Sequence, residues 1–317
     1  MQNLGILDNQ FIITRKIAYL EDRNVYLARN NQAQVNHFIV IKKHENNEDN
    51  NFPANEINIL NILHNVNNPY ILVFIRDGNG ILTLNNKPPR NVNYLLFESV
   101  NNFSLFDYIK LGRLTERQAK LLFRKILNGV QTIHNAHICH RDINPENIFL
   151  DEFYNPKICN FSLSCINAKN LTHSVGTKGY KAPEMIEFHP YDGFRADIFS
   201  LGQLLFALVN SSLGFKSSHA NDHYYSYIIK NELDIYWKML AKKNINPSEE
   251  FKQLFIRMVA YDPHKRPTIA QILDSPWMQE INNLNNNELV ALENEIRNEL
   301  HNREPQINNN IQDNDDE

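Results

Sequence analysis

The sequence predicts an α+β protein with its two kinds of structure segregated, a small strand-rich part first and a larger, mostly helical part after it. Three observations carry this. Up to about residue 100, β-branched and aromatic residues come in short runs separated by polar turns. One stretch of helical spacing, 52–64, interrupts them. Beyond that point the period changes, and apolar residues recur at 119, 122, 123, 126, 130 and 133 behind the capping-box string Thr115-Glu116-Arg117-Gln118.

In chain order, residues 11–17, 25–29 and 38–42 read as strands. In the helix over 52–64, Ile57, Leu60 and Leu63 share a face, Glu56 lies one position behind, and Pro69 ends the run. Strands at 71–75 and 93–98 follow, joined by a long turn holding Asp77-Gly78-Asn79-Gly80 and Pro88-Pro89. The first part is therefore expected to hold five strands and one helix. A long buried helix then runs from Thr115 to about His134, followed by a polar loop, a short strand at 157–159 and a buried helix over 196–209. Amphipathic helices are expected at 221–231, at 248–260 with Ser248 as cap, and at 268–273. Leu289, Leu292, Ile296 and Leu300 mark a helical extension, residues 279–304, with one apolar stripe that Pro305 closes; we expect it to pack on the domain, the alternative being a helix for a partner or a second copy. Residues 305–317 are too polar to pack and are expected to be disordered.

The bulk properties narrow the function classes. At 317 residues and 42% hydrophobic, the chain can fill a sizeable core. A net charge of -4 and a pI near 6.3 favour neither nucleic acid nor an anionic membrane as partner. Three cysteines, Cys139, Cys159 and Cys165, show no metal spacing and fit a reducing compartment without a disulfide framework. The first residues lack a signal-peptide core, Gln2 stands where myristoylation needs glycine, and no apolar run approaches membrane-spanning length. These features predict a cytoplasmic protein, with the nucleus left open. Asparagine makes up about one residue in seven, which bears on every motif position it occupies.

The stretch with most chemistry is Cys-His-Arg-Asp-Ile-Asn-Pro-Glu-Asn-Ile-Phe-Leu, residues 139–150. It sets Asp142 and Asn147 in a polar loop between apolar elements, the setting in which catalytic groups are commonly held. It resembles the catalytic loop of protein kinases, in which the Asp takes the substrate hydroxyl proton and the Asn holds a Mg²⁺. Further landmarks follow this family's order. Val40-Ile41-Lys42 is similar to the strand whose Lys meets the α/β-phosphates, and Glu56 stands at the position of its ion-pair partner. Glu98-Ser99-Val100 resembles the hinge that meets adenine. Gly176-Thr177-Lys178-Gly179-Tyr180-Lys181-Ala182-Pro183-Glu184 is similar to the end of an activation segment. Asp197 looks like the helix Asp that clamps the catalytic loop, and Arg266 like the partner of Glu184. The Pro145-Glu146-Asn147 ending resembles the Ser/Thr group, closest in character to calcium/calmodulin-kinase-like and AMP-kinase-like members. The resemblance spans 11–278 and implies a bilobal kinase-like fold, with an N-lobe over 11–98 and a C-lobe over 102–278.

The resemblance breaks where phosphates and metal would sit. The glycines of the phosphate-covering loop should fall at Ala18, Leu20 and Arg23. Arg23 can offer its charge to a phosphate or fold over an empty pocket. The metal-binding Asp-Phe-Gly is Asn160-Phe161-Ser162, and Asn144 replaces the Lys that neutralises the γ-phosphate. The resemblance therefore implies a pseudokinase acting on a partner protein by binding. The alternative is an active Ser/Thr kinase with a protein substrate, in which Asp142 orients the hydroxyl, Lys42 holds phosphates, and Asn147 and Asn160 share the metal. ATP is the candidate cofactor, with Mg²⁺ held weakly or not at all. Expected pocket walls are Val25 and Val40 above, Phe149 below, and Glu98 to Val100 at the hinge. Leu60, Phe74, His140 and Phe161 are expected to form an internal stack joining the lobes.

Overall fold

A computed structural model describes residues 3–19, 23–42, 52–85, 87–100, 103–187 and 189–307, and the side chains of Ala18, Tyr19 and Lys42 lie outside that description. The first lobe holds β1 (Gly5–Leu7), β2 (Phe11–Tyr19), β3 (Arg23–Asn30), β4 (Asn36–Lys42), α1 (Ala54–His64), β5 (Phe74–Leu84) and β6 (Arg90–Phe97). The strands run antiparallel in the order β1-β2-β3-β4-β6-β5, and pairing of β1 with β5 closes them into a barrel. Side chains alternate across each strand, so neighbouring positions serve different cores. Tyr26, Ala28, Ile39 and Ile41 point into the barrel with Phe11, Val92 and Tyr94. Val25, Leu27 and Phe38 belong instead to the larger core shared with the rest of the molecule, and Val40 packs against it.

Two expectations about this lobe need correction. The strand β1 was not foreseen; its three residues are too few for a periodicity to register. The expected turn at Asp77 to Gly80 lies inside β5, with Asp77 opposite Leu95 and Gly80 opposite Val92. Glycines stand there because of close approach: a Cβ on Gly78 would meet the Tyr94 ring, and one on Gly80 would collide with the Asp8 carboxylate. The change of direction comes later, between Leu84 and Arg90, where Pro88 and Pro89 lie.

The second lobe contains α2 (Leu105–Lys110), α3 (Glu116–Asn135), β7 (Ile138–Cys139), β8 (Ile148–Leu150), β9 (Pro156–Ile158), β10 (Cys165–Ile166), α4 (Pro183–Ile186), α5 (Gly193–Asn210), α6 (Tyr225–Ile229), α7 (Leu233–Ala241), α8 (Glu249–Met258), α9 (Ile269–Leu273), α10 (Gln279–Asn282) and α11 (Asn286–His301). The capping box of α3 forms as expected, with Thr115 accepting from Gln118 N. Its apolar stripe, from Ala119 to Ile133, is buried along the lobe's centre. The single helix expected at 221–231 is shorter, and α7 follows it. Asn231, at φ +57°, breaks the chain between them.

The extension α11 lies against α3 with Leu292, Ile296 and Leu300 buried. Beyond it, Arg303 donates to the carbonyls of Tyr108, Gly112 and Arg113, which pins the end of the extension to the second lobe. The disorder expected from residue 305 does not hold for residues 305–307. Residues 304–307 form a helical turn with Ile307 buried, and 308–317 lie outside the described residues. Among the described residues no helix is long and apolar enough to cross a membrane.

Candidate active site

The polar loop begins where β7 ends and is held from below by α5. Asp197, on α5 and wholly buried, accepts from His140 N, Arg141 N and His134 Nε2, each at 2.8 Å. Those contacts fix the turn in which Arg141 takes φ +64°. The Arg141 side chain donates from Nε to the Leu163 carbonyl at 2.6 Å, so it braces the segment after Asn160 to Ser162. His140 packs its ring on Phe161, centroids 5.1 Å apart, and both are buried. Phe161 belongs to the same apolar core as Leu60 and Phe74.

Asp142 is buried, and its carboxylate is fully engaged by the protein. Oδ1 accepts from Thr177 N at 2.8 Å, Thr177 Oγ1 at 2.7 Å and Asn144 Nδ2 at 3.0 Å. Oδ2 accepts from Asn147 Nδ2 at 2.7 Å. Thr177 reaches this position because Gly176, at φ +96°, passes close to the Arg141 carbonyl, where a Cβ would collide. Asn144 turns inward. Its amide oxygen accepts from Glu146 N and Asn147 N, capping the single 3₁₀ turn Pro145–Asn147, and its Nδ2 bridges Asp142 and Thr177. A residue that reads as a lost cation in sequence is a structural cap in space.

From Asp142 a chain of neutral side chains leads outward. Asn147 donates to Asp142 and accepts from Asn160 Nδ2 at 3.0 Å; Asn160 in turn accepts from Ser162 Oγ at 2.8 Å. Asn160 sits at φ +64°, a left-handed conformation that asparagine tolerates better than most residues. These positions offer a Mg²⁺ two neutral amide oxygens and no carboxylate. Both amide oxygens already accept protein hydrogen bonds, and a hard dication draws its affinity from carboxylates and phosphate oxygens. Among the described residues no cluster of His, Cys, Asp and Glu could hold a metal.

Between the lobes lies a cavity of about 420 Å³ lined by Val25, Val40, Phe149, Cys159, Asn147 and Asn160, as the sequence suggests, and also by Arg23, Glu56 and Phe38. Burial, and secondarily the Asp142 charge, push the Cys159 thiol up to about 12, so it behaves as a small apolar group. Phe38 from the first lobe and Phe149 from the second meet edge to face, centroids 5.3 Å apart. A flat ring lodged between two such walls needs about 3.5 Å on each face, roughly 7 Å in all. A nucleobase therefore fits there only after this contact opens.

Glu98 and Val100 lie elsewhere. They line a separate, shallower depression with Leu27, Asp151 and Glu304, and Glu98 pairs with Lys157 at 2.8 Å. The role that the resemblance implies for 98–100 is one of the backbone, which this placement of the side chains leaves standing. Lys42 closes β4 with its backbone opposite Arg23, and its side chain lies outside the described residues, as does Leu20 of the glycine-loop positions. The ion pair found on Glu56 is with Arg23, Nη1 to Oε1 at 2.9 Å, both side chains almost fully buried. Of the two roles open to Arg23 in sequence, folding inward is the one observed. Among the described residues, Glu56 Oε2 is buried without a hydrogen-bond partner. Thr177 is a site residue to which sequence reading gave no role, whereas Ser162 was read as the last position of the altered Asn160-Phe161-Ser162 motif and not as a donor to Asn160. Thr177 stood in a recognised string, yet only the folded chain brings it to Asp142.

The second buried ion pair of the site lies behind it. Arg266, wholly enclosed, forks onto Glu184 at 2.6 and 2.7 Å and stacks over Phe199 with its guanidinium carbon 5.0 Å from the ring centre.

With this geometry described, comparison with known proteins is informative. The family model described as protein kinase domain matches residues 23–278. The chain is 33% identical over 201 residues to a protein of Saccharomyces cerevisiae named probable serine/threonine-protein kinase HSL1, covering 62% of this chain and 13% of that protein. It is also 33% identical over 196 residues to CBL-interacting serine/threonine-protein kinase 15 of Arabidopsis thaliana, covering 59% of this chain and 44% of that one. The similarity thus spans less than half the length of either relative.

Proposed function

The chain belongs to the protein kinase domain family, and on that premise we propose that it is a Ser/Thr-type pseudokinase, acting on a partner protein by binding rather than by moving phosphate. The observation that carries this is the uncharged chain Ser162–Asn160–Asn147 that leads to the Asp142 carboxylate. Phosphoryl transfer depends almost wholly on positioning and on charge set against the triphosphate. Here the metal-facing positions are amides bonded to one another, Asn144 supplies a cap in place of a cation, and Arg23 is paired with Glu56. The Ser/Thr assignment rests on the names of the two relatives and on the Pro145-Glu146-Asn147 ending.

A second reading, an active Ser/Thr kinase, is favoured by one feature. Asp142, Asn147 and Thr177 are held together in the loop, with a cation, Arg23, at the cavity's edge. The two readings diverge on the metal. Thermal unfolding is measured with ATP alone, Mg²⁺ alone, and both. A ligand of the folded state raises the midpoint in proportion to its binding. The pseudokinase reading expects no midpoint rise that needs ATP and Mg²⁺ together. A rise seen only with the pair overturns it in favour of the second reading.

A further inference from the structure

Cys139 and Cys165 form a thiol pair that the foregoing does not use. They stand directly opposite each other across β7 and β10, with Sγ atoms 3.2 Å apart and no disulfide between them. Cys139 is fully buried, and room for its thiol depends on Gly193, where any Cβ would collide with Sγ. Cys165 is partly exposed and therefore open to small solutes. The two thiols differ in character. The hydrogen bond between them, with burial, holds Cys139 far above the ordinary thiol range. The same hydrogen bond, joined by the nearby Arg141 guanidinium and opposed by burial, brings Cys165 down to about 7. Cys159 offers the contrast: fully buried, held up, and bonded through sulfur to a backbone carbonyl.

We propose that Cys139 and Cys165 are a peroxide-reactive dithiol, oxidised to an internal disulfide that staples the segment after Ser162 to the strand entering the polar loop. Hydrogen peroxide or an organic hydroperoxide is the oxidant. The Cys165 thiolate attacks one peroxide oxygen; an S–O bond forms, the O–O bond breaks, and the departing oxygen leaves as hydroxide or alkoxide and takes up a proton. The Cys139 sulfur then attacks the Cys165 sulfenic acid. The S–S bond forms, the S–O bond breaks, and hydroxide leaves with the Cys139 proton as water. Two electrons pass from the thiols to the peroxide. The pair is placed where a crosslink has consequences: Cys139 directly precedes His140 and Arg141, and β10 follows the brace from Arg141 to Leu163. Since β7 and β10 are each two residues long, a covalent link there adds what their short pairing cannot. None of this depends on whether the protein transfers phosphate.

The test treats the whole chain with hydrogen peroxide, blocks free thiols with an alkylating agent under denaturing conditions, and maps the digest by mass spectrometry without reduction. The expected product is a Cys139–Cys165 linked peptide lighter by two hydrogens, reversed by dithiothreitol, retained in Cys159→Ser and lost in Cys165→Ser. In Cys139→Ser, a sulfenic acid trapped by dimedone is expected at Cys165. The oxidised chain should also exchange the amide hydrogens of Cys165 and Ile166 more slowly than the reduced one. Recovery of both cysteines as free thiols after peroxide overturns the proposal. So does oxidation of Cys165 to sulfinic acid with Cys139 still reduced, or a disulfide found only between chains.

Discussion

The two sides of the polar loop differ in what they are made of. Below it, charged side chains make the contacts: the Asp197 carboxylate accepts from three N–H groups, and Glu184 is forked by a fully enclosed Arg266. Above it, toward the cavity, the contacts are amides and hydroxyls, from Ser162 through Asn160 to Asn147. Two charged groups on that side face other parts of the chain, Arg23 facing Glu56 and Asp142 facing Thr177. Among the described residues, charge ties one piece of protein to another below the loop, while the run from Ser162 to Asn147 above it is neutral. This contrast is what the proposed pseudokinase reading rests on.

The largest expected effect lies below the loop. Glu184→Ala strands the buried Arg266 without a counter-charge, which costs about 3–5 kcal/mol when one partner of an enclosed pair is removed. Urea unfolding should show it, and a loss under about 1 kcal/mol, the range of exposed pairs, would break the contrast. Next come two exchanges of opposite sense. Asp197→Asn places an amide where three donors converge, leaving at least one N–H facing another, at about 1–3 kcal/mol for a buried group left unsatisfied. Asn160→Asp places a carboxylate beside the amide oxygen of Asn147 and should lower the unfolding midpoint in the absence of metal by less than Asp197→Asn does. Millimolar Mg²⁺ should then restore the midpoint in Asn160→Asp and leave the wild type unmoved. Equal Mg²⁺ responses in both proteins would remove the distinction between the two sides.

The fold was legible largely because its signals are local. The family resemblance placed Val25 and Val40 on the cavity side, and the capping box located the start of α3. What escaped was either too short or compensated at a distance. The strand β1 has no room for a pattern, and the Asp-Gly-Asn-Gly string reads as a turn unless the Tyr94 ring and Asp8 are known to press against its glycines. In the site, the identity of each altered residue was visible, yet its use was not. Asn144 as a cap, Thr177 on Asp142 and Arg23 turned to Glu56 all depend on which atoms face each other across the fold. The opposed pair Cys139 and Cys165 was hidden for the same reason, since strand pairing and not sequence spacing brings the sulfurs together.

Phosphate transfer tests the central claim most directly. The chain is incubated with γ-labelled ATP, Mg²⁺ or Mn²⁺, and a basic Ser/Thr peptide, beside an Asp142→Ala variant. With the metal-facing positions neutral and bonded to one another, label incorporation is expected to equal that of the variant. Incorporation that exceeds it and disappears with Asp142→Ala would contradict the account.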